Sequence, residues 1–266
     1  MAQPHYADEQ RLAFGRVAEL YDRARPSYPA GAIDAVVSHG ALAARADVVE
    51  VGAGTGKATA LLAARGLNVL GLEPSPEMAA VARMRCAEYP GVRIVEAEFE
   101  RWRPQARVAA VVSVQAWHWI APETRYLKAH DTLVRGGTLA AIWTLPDWAR
   151  CAARDSLRHA YRSAAASLAA DFPMHPDSEP TRLAGHWAAE TEASGRFTAP
   201  EILAFAWSKT YGTEDYLALL QTHQDHILLD GAERARLLEA IGSVIDAEGG
   251  SLELPLVTSV CLARSS

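Results

Sequence analysis

Asp47-Val48-Val49-Glu50-Val51-Gly52-Ala53-Gly54-Thr55-Gly56-Lys57 is the stretch that decides the fold of this chain. Asp47–Val51 is a short apolar run that stops at glycines, the pattern of a strand buried on both faces. Glycines at 52, 54 and 56 let the backbone turn tightly and approach a ligand with no Cβ in the way. Lys57–Arg65 reads as a helix, and the N–H groups of its first turn favour a carboxylate or a phosphate. A bare strand–helix turn has no need of three alternating glycines.

Spacing separates the ligand classes. A dinucleotide loop is G-x-G-x-x-G, and Lys57 stands where the third glycine would pack helix on strand. A nucleotide-hydrolase loop is G-x-x-x-x-G-K-[ST]; Val51 replaces its first glycine and Ala58 its magnesium-binding hydroxyl. What remains is an acidic residue followed by x-G-x-G-x-G. About twenty residues on, Glu73 ends the next apolar run, where a carboxylate accepts hydrogen bonds from vicinal ribose hydroxyls.

Outward from the loop, strands are predicted at Asn68–Leu72, Val92–Val95, Ala109–Val114 and Thr138–Thr144, with helices at Pro76–Glu88 and Pro122–Val134 between them. Strands alternating with helices make a doubly wound α/β sheet. Before it, Leu12, Phe14, Val17 and Leu20 predict a helix over 10–23, and a second runs over 30–43. After it come a long Ala-rich helix at 148–170 and a loop-rich insertion over 171–200 with one short helix near 181–193. Then follow a strand at 202–209, helices at 213–225 and 231–247, and a closing strand at 252–263. The whole chain reads as one domain: a helical cap (1–43), a ligand-binding core (44–145) and a half that shapes a second ligand (146–266).

The formal net charge of −6 argues against nucleic acid as main partner, since phosphate binding needs a cationic face. Cys86, Cys151 and Cys261 lie far apart without a CxxC, which predicts a reducing compartment and no structural metal site. The polar N-terminus has no signal-peptide core, and no apolar run approaches the roughly 18 residues of a membrane span, so the expected location is cytoplasmic. Arg outnumbers Lys 23 to 3, a bias of GC-rich bacterial genomes.

Glu50–Gly56, Glu73, Val95-Glu96-Ala97-Glu98-Phe99 and Ser113-Val114-Gln115-Ala116-Trp117-His118-Trp119 together resemble the ordered motifs of class I S-adenosylmethionine-dependent methyltransferases. The Gln-Ala-x-His-Trp run, Arg135-Gly136-Gly137-Thr138-Leu139 and the preceding Tyr21-Asp22-x-Ala-Arg25-Pro26-x-Tyr28-Pro29 are similar to the small-molecule subgroup called methyltransferase type 11, which includes trans-aconitate methyltransferase-like enzymes. The likeness is good over residues 12–145 and loose beyond 150. It implies a mostly parallel seven-stranded Rossmann-like sheet with helices on both faces. It implies S-adenosyl-L-methionine as cofactor, S-adenosyl-L-homocysteine as product, and a small-molecule acceptor.

Carried onto this chain, the resemblance places Gly52, Gly54 and Gly56 on the methionine moiety and Glu50 near its ammonium group. Ala53, Pro74 and Met78 join the cofactor set. Glu73 takes the ribose, Glu98 the adenine amino group in a place where Asp is commoner, and Phe99 the adenine edge. Gln115 and Trp117 follow the fourth strand, where cofactor and acceptor meet.

Other candidates keep two readings. His118 is either a general base or a group that orders its loop. Tyr21, Arg25 and Tyr28 either close over the ligands or pin a helix end between prolines, and Trp119 belongs with the acceptor residues. Trp143 is acceptor wall or plain core. His223 and His226, flanking Asp225, are read as a solvated or structural pair because no third metal ligand is evident. Arg101, Arg103 and Arg107 are read as solvated surface, Cys86 as core. Trp187, Trp207, Tyr211 and Tyr216 are further candidates for the acceptor wall.

Overall fold

The computed structural model describes residues 18–169, 174 and 179–266. Seven strands form one sheet in the order β3-β2-β1-β4-β5-β7-β6. They are β1 (Asp47–Val51), β2 (Asn68–Leu72), β3 (Val92–Val95), β4 (Val108–Val114), β5 (Leu133–Pro146), β6 (Glu201–Gly212) and β7 (Ser251–Arg264). The first five pair in parallel, whereas β7 is antiparallel to both β5 and β6, so the sheet is mixed. The order reverses at β1, which opens a crevice at the carboxyl ends of β1 and β4.

Period-two alternation distributes the strand side chains between two cores. On one face Val48, Ala110, Val112, Ala140 and Ile142 pack under the helices α2 (Ala30–Gly40) and α3 (Lys57–Ala63), meeting Ile33, Val36 and Leu62. On the other face Val49, Val51, Val111, Leu139 and Ala141 meet Trp117, Tyr126 and Trp187. Each fully buried aliphatic side chain contributes about 1.5–3 kcal/mol. A third core joins the ends of β6 and β7 to later helices through Leu157, Tyr161, Tyr216, Leu237, Ile241 and Leu254.

Helix α1 (Ala18–Ala24) covers the second half of the helix expected at 10–23; residues 10–17 lie outside the described residues. Helix α4 (Pro76–Arg85) starts as a helix should: Ser75 caps the Met78 N–H at 3.3 Å and Pro76 stands in the first turn. Helix α5 (Pro122–Thr132) ends two residues early because Leu133 pairs with Val108 at the start of β5. The register then jumps, Ala110 pairing with Thr138, and Gly136 at φ 73° makes the detour.

Two helices expected to be continuous are broken by tertiary contacts. The 148–170 stretch is a 3₁₀ turn (Trp148–Arg150), helix α6 (Arg154–Ala164) and helix α7 (Ala166–Ala169). Buried Trp148, Cys151 and Ala165 pull the chain into the third core at each interruption. Helix α8 (Arg182–Ala193) is the short helix of the insertion. The 213–225 stretch is α9 (Thr213–Leu220) and α10 (Gln224–Ile227), since the Thr222 carbonyl accepts from Arg25 at 3.0 Å. Helix α11 (Gly231–Ala247) runs as expected, with Asp230 capping the Ala232 and Glu233 N–H groups.

Candidate active site

A cavity of about 680 Å³ opens at the carboxyl ends of β1, β2, β4 and β5, within the size range of small-molecule sites. At its floor the glycine loop turns back on β2, Gly52 and Ala53 both donating to the Leu72 carbonyl at 2.9 and 3.0 Å. A Cβ on Gly52 would lie 2.3 Å from the Ala116 Cβ, so only glycine lets the loop touch the end of β4. Gly54, at φ 57°, is different: a Cβ there would meet only Met78, at 3.9 Å, and would otherwise project into the cavity.

Glu73 closes the corner beside Gly54. One carboxylate oxygen accepts the Gly54 N–H at 2.8 Å and the other the Ser75 N–H at 2.9 Å. Burial raises its pKa, against the lowering effect of those two bonds. Pro74, Met78, Ala97, Glu98 and Phe99 continue this wall. Lys128 of α5 fixes the 98–102 loop from behind: it donates to the carbonyls of Glu100 and Trp102 and lies 5.5 Å from the centre of the Phe99 ring. Sequence reasoning missed Lys128 because nothing local links it to Phe99.

Beyond β4, Gln115 adopts a left-handed φ of 63°. Its amide bridges to β5, donating to the Thr144 carbonyl and accepting the Thr144 N–H, both at 3.2 Å. The 3₁₀ turn Trp117–Trp119 then sends neighbouring side chains opposite ways. His118 and Trp119 line the cavity, with His118 against Trp119 and edge-on to Trp143 at centroid distances of 4.7 and 4.5 Å. Trp117 does not line it. It is fully buried against Tyr126, with the rings 5.6 Å apart, so its expected cofactor role is corrected to core packing. Trp143 lines the cavity and also packs edge-on against buried Trp187.

Three other expected residues also stand off the cavity. Glu50 shares strand parity with Val48 and points toward α3, where it accepts the Thr59 hydroxyl at 2.5 Å. Burial pushes its pKa up to about 8. Ala53 and Gly56 lie within the loop behind its lining surface.

The segment before the sheet forms a lid. Tyr21, Arg25 and Tyr28 line the cavity. Arg25 lies over the Tyr21 ring at 5.1 Å and donates to the Thr222 hydroxyl and carbonyl, which ties α1 to the turn after α9. The Asp22 carboxylate takes Arg85 at 2.6 Å through both oxygens and Lys57 at 3.7 Å. Burial alone would raise the Asp22 pKa; bonds from Arg85 and Thr55 and the Lys57 charge outweigh it and hold it low. Asp22, Lys57 and Arg85 thus latch the lid, and only their sequence distance hid it.

The far wall comes from the carboxyl-terminal half: Trp148, Tyr211, Tyr216, Leu219, Leu220, Leu254 and Leu256. Tyr211 and Tyr216 line the cavity, whereas Trp187 is core and Trp207 donates to Thr258 on the sheet. His223 and Asp225 also line the cavity. The ligand atoms of His223, Asp225 and His226 lie within 4.8 Å of one another. His226, however, uses both nitrogens, one on Asp225 at 2.8 Å and one on Tyr161 at 2.7 Å, which makes it a hydrogen-bonded core histidine. Arg101, Arg103 and Arg107 are exposed and hold Glu98, Glu100 and Leu133 locally. Cys86 is buried, and burial pushes its thiol up to about 11.

The cavity accommodates an adenosyl sulfonium. Gly54 leaves open the space a side chain would fill, and each Glu73 oxygen keeps an acceptor site beyond its one backbone bond. Comparison with known proteins agrees. A family model described as "Methyltransferase domain" matches residues 48–137. An uncharacterized methyltransferase of Mycobacterium tuberculosis is 37% identical over 139 residues, 52% of this chain and 55% of the other. The yeast protein named probable S-adenosylmethionine-dependent methyltransferase CRG1 is 29% identical over 126 residues, 45% of this chain and 43% of its own. The chain therefore spans about half the length of the curated relatives it matches. A candidate type II methyltransferase from Anaeromyxobacter dehalogenans shares the fold, with a TM-score of 0.61 and 21% identity over 91% of this chain and 97% of that one. Among the described residues no helix is long and apolar enough to cross a membrane. Over residues 48–137, therefore, the chain carries a match to a methyltransferase domain and is similar there to S-adenosylmethionine-dependent methyltransferases.

Proposed function

We propose that this protein transfers a methyl group from S-adenosylmethionine to a small organic acceptor bound in the same cavity. One observation carries the reading: a single cavity is lined by Gly54, Glu73 and Phe99 and also by Tyr211, Tyr216 and Leu256. The first group suits a nucleoside and the second an apolar molecule, so donor and acceptor share one cavity. Residues 1–43 serve as cap, 44–145 as cofactor core and 146–266 as the acceptor-shaping half.

When bound, the cofactor supplies a methyl carbon activated by the positive charge on its sulfur. The protein supplies position and dryness. Glu73 accepts the ribose hydroxyls, Glu98 and Phe99 hold the adenine, and the open face of Gly54 receives the methionine end. Trp119 and Trp143 exclude water near the end of β4. The latch of Asp22 with Lys57 and Arg85 keeps the lid over both ligands. Alignment of this kind lowers a barrier by about 7–11 kcal/mol.

Calorimetric titration with S-adenosylmethionine and S-adenosylhomocysteine, with ATP and reduced nicotinamide cofactor as parallel controls, tests the donor. Micromolar binding of the first two alone is expected. Binding of ATP or the nicotinamide instead would refute the reading.

A further inference from the structure

We propose that this protein assembles as a two-fold symmetric dimer in which β6 pairs antiparallel with β6 of a second copy, in the register centred on Phe205.

β6 is an edge strand without the usual protection. It is the outermost strand at its side of the sheet and has 12 residues, a length of about 40 Å at roughly 3.3–3.4 Å per residue. Among the described residues it pairs only with β7, and that pairing runs from Glu201 to Gly212 without a bulge. No proline interrupts it. Alternate residues of an antiparallel strand aim their N–H and C=O groups to opposite sides, so half of those on β6 point away from the sheet. A long, unblocked edge of this kind is a template for pairing with another chain. The opposite edge is built otherwise: β3 has only 4 residues, and Arg93 stands exposed on it.

The side chains of β6 suit a second copy of itself. Ile202, Ala204, Ala206, Ser208 and Thr210 share one face, are exposed and carry no charge. Beside Ala206 and Ser208, β7 adds half-buried Val257 and Pro255 to this face. The other face presents Leu203, Phe205 and Trp207, half-buried against the cores. Its charges are Glu201 near one end and Lys209 near the other, which share that face because strand side chains alternate. Among the described residues neither has an ion-pair partner; Lys209 lies over the Tyr211 ring, 4.5 Å from its centre.

Symmetry and charge together select one register. A two-fold axis normal to the sheet keeps each face on its own side, so only residues of like parity stand opposite one another. With the axis at Phe205, Glu201 stands opposite the partner subunit's Lys209, and Lys209 opposite the partner subunit's Glu201. Leu203 then meets the partner subunit's Trp207, and Ala204 the partner subunit's Ala206. Directly opposed side chains have Cβ atoms about 4.5–5.5 Å apart, where unlike charges stabilise and like charges destabilise. Moving the axis to Ala204 sets Glu201 against Trp207 and Lys209 against Ala199. Moving it to Ala206 sets Glu201 against Tyr211 and Lys209 against Leu203. Only the axis at Phe205 pairs both charges. The same strand carries Tyr211 into the far wall of the cavity, so the interface backs onto the site.

Sedimentation equilibrium of the whole chain at micromolar concentrations tests the assembly. The expected mass is twice the 28.7 kDa of one chain. Glu201→Lys and Lys209→Glu each place like charges opposite one another at both ends of the pairing, and each should weaken the dimer by about tenfold. The double variant Glu201→Lys with Lys209→Glu restores both pairs and should return to within about threefold of wild type. Circular dichroism checks that all three variants fold. Cysteine cross-linking with oxidised glutathione tests the register, since Cys86, Cys151 and Cys261 are buried. Ala204→Cys and Ala206→Cys combined in one chain should give a disulfide-linked dimer, because opposed Cα atoms about 4.5–5.5 Å apart lie within disulfide reach. Either substitution alone should not, since it meets its own counterpart only if the axis moves onto it. A monomer at every concentration, a dimer that the single charge reversals leave unchanged, a double variant as weak as the single ones, or cross-linking by one cysteine alone would overturn the proposal.

Discussion

The Glu73 carboxylate accepts the Gly54 backbone N–H at 2.8 Å, so the end of β2 and the glycine loop of β1 close one corner of the cavity together. Neither residue is placed by its own strand alone. Glu73 holds the loop, and the loop shields one side of Glu73, which lines the cavity.

Gly54→Val should abolish S-adenosylmethionine binding. Its branched side chain would enter the cavity from a φ of 57°. The left-handed conformation adds about 1–2 kcal/mol of strain, which the fold should survive. Calorimetry on a variant with wild-type circular dichroism checks this; normal binding would show that the loop does not face the cofactor.

Glu73→Gln should weaken cofactor binding by more than tenfold and stability by about 1–3 kcal/mol. Gly54 and Ser75 each donate to one carboxylate oxygen, and an amide can accept on only one side. The other N–H would face an NH₂ group. Urea unfolding and ligand titration measure the two effects separately, and binding within twofold of wild type would count against ribose recognition.

Glu50 should make the ligand-free protein lose stability as pH rises. Its folded pKa, about 8, lies above an unfolded value of about 4.3. The folded state therefore holds the proton more tightly. The contribution is fully present below the unfolded value and is lost as pH rises toward the folded one, at about 1.4 kcal/mol per pH unit in between. Glu50→Gln keeps the shape and the Thr59 contact while removing the titration. Unfolding at pH 5, 6.5 and 8 should show a shallower decline in the variant, and parallel profiles would contradict the assignment.

Arg125→Met should destabilise the protein by about 3 kcal/mol, the low end for a broken buried pair, because the Glu190 side chain is 25% exposed. Arg125 joins Glu190 of α8 to the carbonyls of Trp117 and Ile120, so it fixes the turn that aims His118 and Trp119. Adding Glu190→Gln should restore part of the loss. Chemical denaturation of the two variants decides it, and a change below about 0.5 kcal/mol for Arg125→Met, the scale of ordinary surface substitutions, would mean the pair is not structural.

Most of the core was legible because its signals are local. Asn68–Leu72 and Val92–Val95 matched their strands residue for residue: the first is a largely buried apolar run, and the second is rich in β-branched residues although it is an edge strand with Arg93 exposed. The helix breaks at Ala165 and near Thr222 were not legible. Alanine-rich and leucine-rich stretches favour continuous helix, and only packing of Ala165 and the bond from Arg25 to Thr222 stop it.

For the site, side-chain direction was the missing quantity. Trp117 and Trp119 are two residues apart in the same motif, yet one is core and the other lines the cavity, because a 3₁₀ turn separates them. Glu50 reads as a ligand-side carboxylate until strand parity turns it toward Thr59.

By itself the sequence determined the alternating sheet, the glycine loop and the place of Glu73, set by short-range spacing and backbone sterics, while its resemblance to class I methyltransferases named the cofactor. Only the tertiary structure decided the far wall of the cavity and the Asp22 latch. Those join residues some 30 to 200 positions apart, such as Asp22 with Arg85 and Arg25 with Thr222, and no local pattern encodes contacts that form only when separate elements pack.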